Sequence, residues 1–168
     1  NMSSYISEQK LTTSLILSSN ELNDDIDNTI KYKIKQKLEG KCFQDGYIIK
    51  DSIRIIKRSL GKVITNNGKS EIKYIIIYTA EVISPSKGDE IKMKVNNINK
   101  MGLIGNIKLK EEITTEDNPL IIMVPKDYII DSPVNYNDIT IGQIINVVVI
   151  GFRIKYNSNN IQIIAKPK

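Results

Sequence analysis

Histidine is absent from this chain and cysteine occurs once, at Cys42. The side chains that most often move protons or attack carbonyl carbon at neutral pH are therefore missing or isolated. A thiol nucleophile needs a base or a lowered pKa, so a lone cysteine close to Gly40 reads as structural. One cysteine also excludes an internal disulfide and any Cys-cluster zinc site. Neither of the two standard glycine-rich phosphate loops occurs. The acidic pairs Asp24-Asp25, Glu111-Glu112 and Glu116-Asp117 fall on a helix face and in a polar loop, where solvated charge accounts for them. The residues name no catalytic group, metal site or cofactor, and the expectation is that the chain is not an enzyme.

What the residue types do offer is a basic surface. Alternation along 89–98 turns Ile91, Met93 and Val95 to one side and Lys92, Lys94 and Asn96 to the other. Lys100 follows in a turn, Lys108 ends the next strand, Lys126 follows the third, and Arg153 and Lys155 sit at the tip of the last hairpin. Such cations track phosphates without reading bases. The formal net charge is +5 and the sequence pI about 9.1. That surplus is spread evenly along the chain, which permits nucleic acid as a partner but does not diagnose it.

The elements that must carry these residues follow from periodicity. Lys10 to Leu17 reads as a strand. Ser18 to Glu21 fits a capping box opening a helix, in which Leu22, Ile26, Ile30, Ile34 and Leu38 form one apolar stripe. Acidic Asp24, Asp25 and Asp27 come early and Lys31, Lys33, Lys35 and Lys37 late, as the helix dipole favours, and Gly40 ends the run. A strand from Gly46 continues through Ile56. Two more, Gly61 to Ile64 and Glu71 to Val82, are joined by the turn Asn66-Asn67-Gly68.

Pro85 and Gly88 mark a domain boundary. Beyond it a hairpin (Asp89 to Ile98, Leu103 to Leu109), a polar loop from Lys110 to Asn118, a third strand (Leu120 to Val124) and a short helical segment or turn to Ile130 are expected. A polar loop around Pro133 to Asp138 leads to a final hairpin, Gly142 to Lys155 and Asn160 to Lys166. Five strands with a long third connection fit an OB-fold barrel. The expected fold class is α+β: a small N-terminal α+β domain over 1–83, one helix on an antiparallel sheet, then a five-stranded OB-fold over 84–168.

Apolar residues make up 40% and charged residues 26% of the chain, enough for a buried core. No apolar run approaches the roughly 18 residues of a membrane span, and the first ten residues lack the pattern of a signal peptide. No membrane partner and an intracellular location are expected. Isoleucine, lysine and asparagine crowd the sequence, as AT-rich codons would produce.

The order of these parts resembles the stalk subunit of multisubunit DNA-directed RNA polymerases, the seventh-largest subunit of the eukaryotic enzyme, and its archaeal counterpart. The resemblance rests on Leu38-Glu39-Gly40-Lys41-Cys42, Gly46-Tyr47-Ile48-Ile49, Gly61-Lys62-Val63, Tyr74 to Tyr78 and Ala80-Glu81-Val82. It continues through Pro85, Lys87-Gly88-Asp89-Glu90, Val95 and Ile98-Asn99-Lys100-Met101-Gly102-Leu103. The resemblance implies a tip domain that docks on the polymerase core, with Gly40, Lys41, Cys42, Gly46, Tyr47 and Gly61 in its docking signature. It further implies a smaller helical partner, with which the chain forms a heterodimeric stalk, and an OB-fold that contacts nascent single-stranded RNA. Where OB-folds of this type stack bases on aromatic residues, Met101-Gly102-Leu103-Ile104 is aliphatic. Stacking contributes about 1–3 kcal/mol per base, so weak, salt-sensitive RNA binding is expected. The Glu111 to Asn118 loop is also longer and more acidic than the family's usual connection. These two departures with the codon usage favour a viral or otherwise remote member, located in the nucleus, or in cytoplasm and virion if viral. A stand-alone OB-fold RNA binder in translation or RNA decay is the alternative, and an adaptor that never touches RNA a third reading.

Overall fold

The computed structural model describes residues 5–107, 118–133 and 135–168. The chain is α+β and mostly sheet, and it divides into two compact units. One unit comprises Glu8–Glu39 and Ile48–Val82; the other comprises residues 5–7, Gly40–Tyr47 and Ile83–Lys168.

The first unit is built on two long strands, β1 (Ile6–Ser18) and β6 (Lys69–Ile83), which are neighbours in one sheet. Strands β4 (Arg54–Arg58) and β5 (Lys62–Asn66) also pair with β6, both antiparallel. Asn67 and Gly68, both at positive φ, make the tight β5–β6 turn, as an Asn-Gly pair should. On β6, Tyr74, Ile76, Tyr78, Ala80 and Val82 are buried at a spacing of two. Each larger aliphatic side chain buried in this way contributes roughly 1.5–3 kcal/mol.

Helix α1 (Ile26–Leu38) buries Ile30 and Ile34 and starts later than its apolar stripe suggests. The Ser18 amide and hydroxyl do donate to Glu21 Oε1, each at 3.1 Å, but they close a 3-10 turn over Ser19–Glu21. The Asn23 side chain accepts from the Asp25 amide at 2.9 Å, and Asp25 becomes the N-cap. These local Asx hydrogen bonds compete with helix and leave Leu22 extended. The helix ends where expected: Glu39 donates back to Lys35, and Gly40 takes φ +70°.

A second correction concerns the strand expected from Gly46 through Ile56. It is two strands, β3 (Gly46–Ile48) and β4, separated by a turn with Asp51 at φ +60°. Ser52 Oγ fixes that turn, donating to the Ile49 carbonyl and accepting from the Glu81 amide. A two-residue strand, β2 (Cys42–Phe43), pairs with β3.

The other unit contains a closed, OB-fold-like barrel. Its strands are β7 (Glu90–Asn99), β8 (Gly102–Asn106), β9 (Leu120–Pro125), β10 (Ile144–Arg153) and β11 (Ile161–Pro167). The order β10-β11-β9-β8-β7 closes by pairing β7 with β10; β9 and β11 run parallel and the other pairs antiparallel. Closure removes the exposed edges that a five-stranded sheet would present. Ile91, Met93, Val95, Leu103, Leu120, Ile122, Val124, Val147, Val149, Ile161, Ile163 and Ala165 fill the interior. A short helix, α2 (Lys126–Ile130), follows β9 and buries Ile129. Two close approaches permit only glycine: a Cβ on Gly102 would lie 2.0 Å from the Val124 carbonyl oxygen, and one on Gly105 2.3 Å from that of Lys94.

Candidate nucleic-acid interface

Strand β7 sorts its side chains as the alternation requires. Ile91, Met93 and Val95 are inside, and Lys92, Lys94 and Asn96 are exposed. A bulge interrupts the register between Val95 and Asn97. Asn96 is the extra residue, so Asn96 and Asn97 are both exposed. Lys92 stands opposite Asn146 of β10, and Lys94 opposite Ile144 of β10 and Asn106 of β8.

The other cations expected at the interface lie, among the described residues, in two other places. Lys100 is exposed in the β7–β8 turn, which is held by the Met101 amide donating to Asn99 Oδ1 at 2.8 Å. Lys126 opens α2, and its amide donates to the Met101 carbonyl at 2.9 Å. Arg153 ends β10 opposite Gln162, and Lys155 is exposed in the β10–β11 loop. Gly102 pairs with Pro125 and Ile161 with Leu120, so the turn and the loop sit at opposite ends of β9. Lys108 lies outside the described residues.

Between those ends the outward side chains Ile104 of β8, Ile121 and Met123 of β9 and Ile164 of β11 are aliphatic, with Gln162 of β11 exposed opposite Ile121. Ile104 stands opposite Met123, and Met123 opposite Ile164. The face over which an OB-fold lays a single strand thus carries apolar side chains, with cations on β7 and at its two ends.

The structure also supplies aromatic residues that the sequence reading did not single out. Tyr136, in a 3-10 turn over Tyr136–Asp138, is half-buried, and its hydroxyl donates to the Asn99 carbonyl. The Lys126 ammonium lies over its ring, 5.1 Å from the centroid. At the other end, Phe152 and Tyr156 are exposed, Tyr156 at 72%. The Asx turn that sets up Tyr136, in which the Asn135 side chain accepts from the Asn137 amide at 3.1 Å, was the available signal. Lys166, exposed opposite Val148, is a further cation that the sequence reading passed over.

The residues expected to form a docking signature divide between the units. Gly40, Lys41, Cys42, Gly46 and Tyr47 belong with the barrel and Gly61 with the other unit. Gly40, Cys42, Gly46 and Tyr47 are buried, Lys41 is half-buried and Gly61 is exposed. Cys42, at 3% exposure, is tied to the β10–β11 loop. Its amide donates to the Ser158 carbonyl and its carbonyl accepts from the Asn157 amide, each at 2.8 Å. Its thiol donates to the Asn160 carbonyl at 3.4 Å. Burial pushes the thiol up to about 11, far from a reactive thiolate.

Among the described residues no group of three or more histidines, cysteines or carboxylates could hold a metal ion, and no helix is long and apolar enough to cross a membrane. No protein-family model matches this chain, and no curated protein matches it.

Proposed function

We propose that the chain is a non-catalytic stalk subunit of a multisubunit DNA-directed RNA polymerase. In this reading it docks on the core through its N-terminal part, pairs with a smaller helical subunit and touches nascent single-stranded RNA weakly through its barrel. The observation that carries the RNA contact is the OB-fold-like barrel with Lys92 and Lys94 exposed on β7 and Lys100, Lys126, Arg153 and Lys155 at the two ends of β9. The polymerase assignment rests on the order of sequence blocks along the chain. Support for a protein partner comes from the unit containing α1, which exposes Ile56, Val63 and Ile75, and Leu60 at 89%. Apolar side chains left in water at that level are what an obligate partner would cover.

The aliphatic face of β8 and β9 agrees with modest affinity, because cations without many stacked bases give binding that salt weakens. A free-standing OB-fold RNA binder is the second reading, favoured by the aromatic residues at both ends of β9. Cross-linking separates the two. With a photoreactive nucleotide placed in RNA leaving a transcribing polymerase, the proposal expects cross-links to this chain within the complex. A chain that cross-links to free RNA, and never enters the transcribing complex, would contradict it.

A further inference from the structure

Tyr136 comes from the connection between β9 and β10, 37 residues beyond the Asn99 carbonyl that it touches. Three tethers converge at the β7–β8 turn. The Tyr136 hydroxyl donates to the Asn99 carbonyl, the Lys126 amide donates to the Met101 carbonyl, and the Lys126 ammonium rests on the Tyr136 ring. The ring is held by its hydroxyl at one end and over its face by a cation, yet it stays only half-buried. Fixing a ring in place before a ligand arrives lowers the ordering cost of stacking on it. Lys126 has a partner that it can exchange: a single cation–π interaction near water is weak beside a charge-assisted hydrogen bond to phosphate. Lys100 follows Asn99 directly and is exposed.

We propose that Tyr136 is a stacking platform for one base of a single-stranded RNA, with Lys126 and Lys100 taking the flanking phosphates. This rests on the RNA-binding reading above and adds to it a base-binding residue outside the strands. The ring supplies affinity that does not depend on salt, and the two lysines supply the salt-dependent part. Every base offers a π-face, so the platform is tolerant of sequence.

The test is fluorescence anisotropy of the full chain with a labelled oligouridine over a range of salt. Tyr136→Leu is expected to weaken binding about tenfold with the salt slope unchanged, whereas Tyr136→Phe, which keeps the ring, stays within about threefold of the parent. Lys126→Met, which keeps most of the side-chain stem, should make the slope of log affinity against log salt shallower by ~0.7. Thermal melts of each variant establish that the fold is kept, and if the Leu variant unfolds, Lys126→Met decides the matter: an unchanged salt slope overturns the proposal. If the parent binds and both Tyr136→Leu and Lys126→Met bind as the parent does, the platform is overturned while the RNA-binding reading survives. If the parent binds no RNA at low salt, both are overturned.

Discussion

The Asn157 amide donates to the Cys42 carbonyl at 2.8 Å, and the Ser158 carbonyl accepts from the Cys42 amide at the same distance. This reciprocal pair ties the β2–β3 hairpin to the loop between the last two barrel strands. That loop presents Lys155 and Tyr156 to solvent. The β2–β3 hairpin therefore anchors the loop at one end of the candidate RNA interface.

The clasp predicts an unreactive thiol. With its pKa raised from 9.0 to about 11 by burial, Cys42 stays protonated at pH 8 and should react with a disulfide reagent only as the protein opens. Stability from this group is complete below pH 9, where folded and unfolded thiols are both neutral. It is lost as pH rises from about 9 through about 11, because only the unfolded thiol ionises. Thiol titration with and without denaturant checks this; fast, stoichiometric labelling of the native protein would contradict it.

Glu21 predicts an effect at the acid end. The Lys33 ammonium 2.7 Å away, then the Ser18 amide and hydroxyl, hold its carboxyl at about 2, below its ordinary 4.5. A lowered folded pKa gives stability that is present above pH 4.5 and lost as pH falls toward 2. Glu21→Gln should flatten this part of the melting-temperature profile and leave the alkaline part unchanged. Melting curves from pH 2 to 7 read the difference.

Gly102 is the most sensitive backbone position of the barrel. It sits at φ +143°, with the Val124 carbonyl oxygen 2.0 Å from where a Cβ would be. Gly102→Ala should destabilise the barrel by at least ~3 kcal/mol. Amide exchange along β8 and β9 would then quicken well before exchange along β6.

Charge reversal tests the strand that carries the outward lysines. Lys92→Glu with Lys94→Glu should weaken oligouridine binding and reduce the salt slope by ~0.7 for each phosphate no longer neutralised. Neither side chain lines the core, so the melting temperature should hold. An adaptor that never meets RNA would show no change in transcription with both residues reversed.

The barrel was legible in the sequence because its strands are β-branched runs with a clear two-residue alternation, as in Ile91, Met93 and Val95. The helix end was legible at Gly40 because a glycine readily takes the positive φ that closes a helix. The helix start was not, because Ser18 to Glu21 and Asn23 to Asp25 offer competing caps within a few residues. The break at Asp51 was hidden because the isoleucines on either side read as one run, and Ser52 becomes a turn lock only when Glu81 arrives beside it. The long-range partners of Tyr136 and Cys42 were beyond local patterns, although the Asx turn at Asn135 marks the bend that carries Tyr136. Tyr136 meets Asn99 across 37 residues and Cys42 meets Asn160 across 118, so their roles exist only in the assembled fold.

The central claim, membership of a transcribing polymerase, is tested most directly by purifying the tagged chain from its native source and identifying what survives a high-salt wash. The account predicts the large polymerase subunits together with one small helical protein. Ribosomal or RNA-decay proteins, or RNA alone, would contradict it and leave a stand-alone RNA-binding barrel as the better reading.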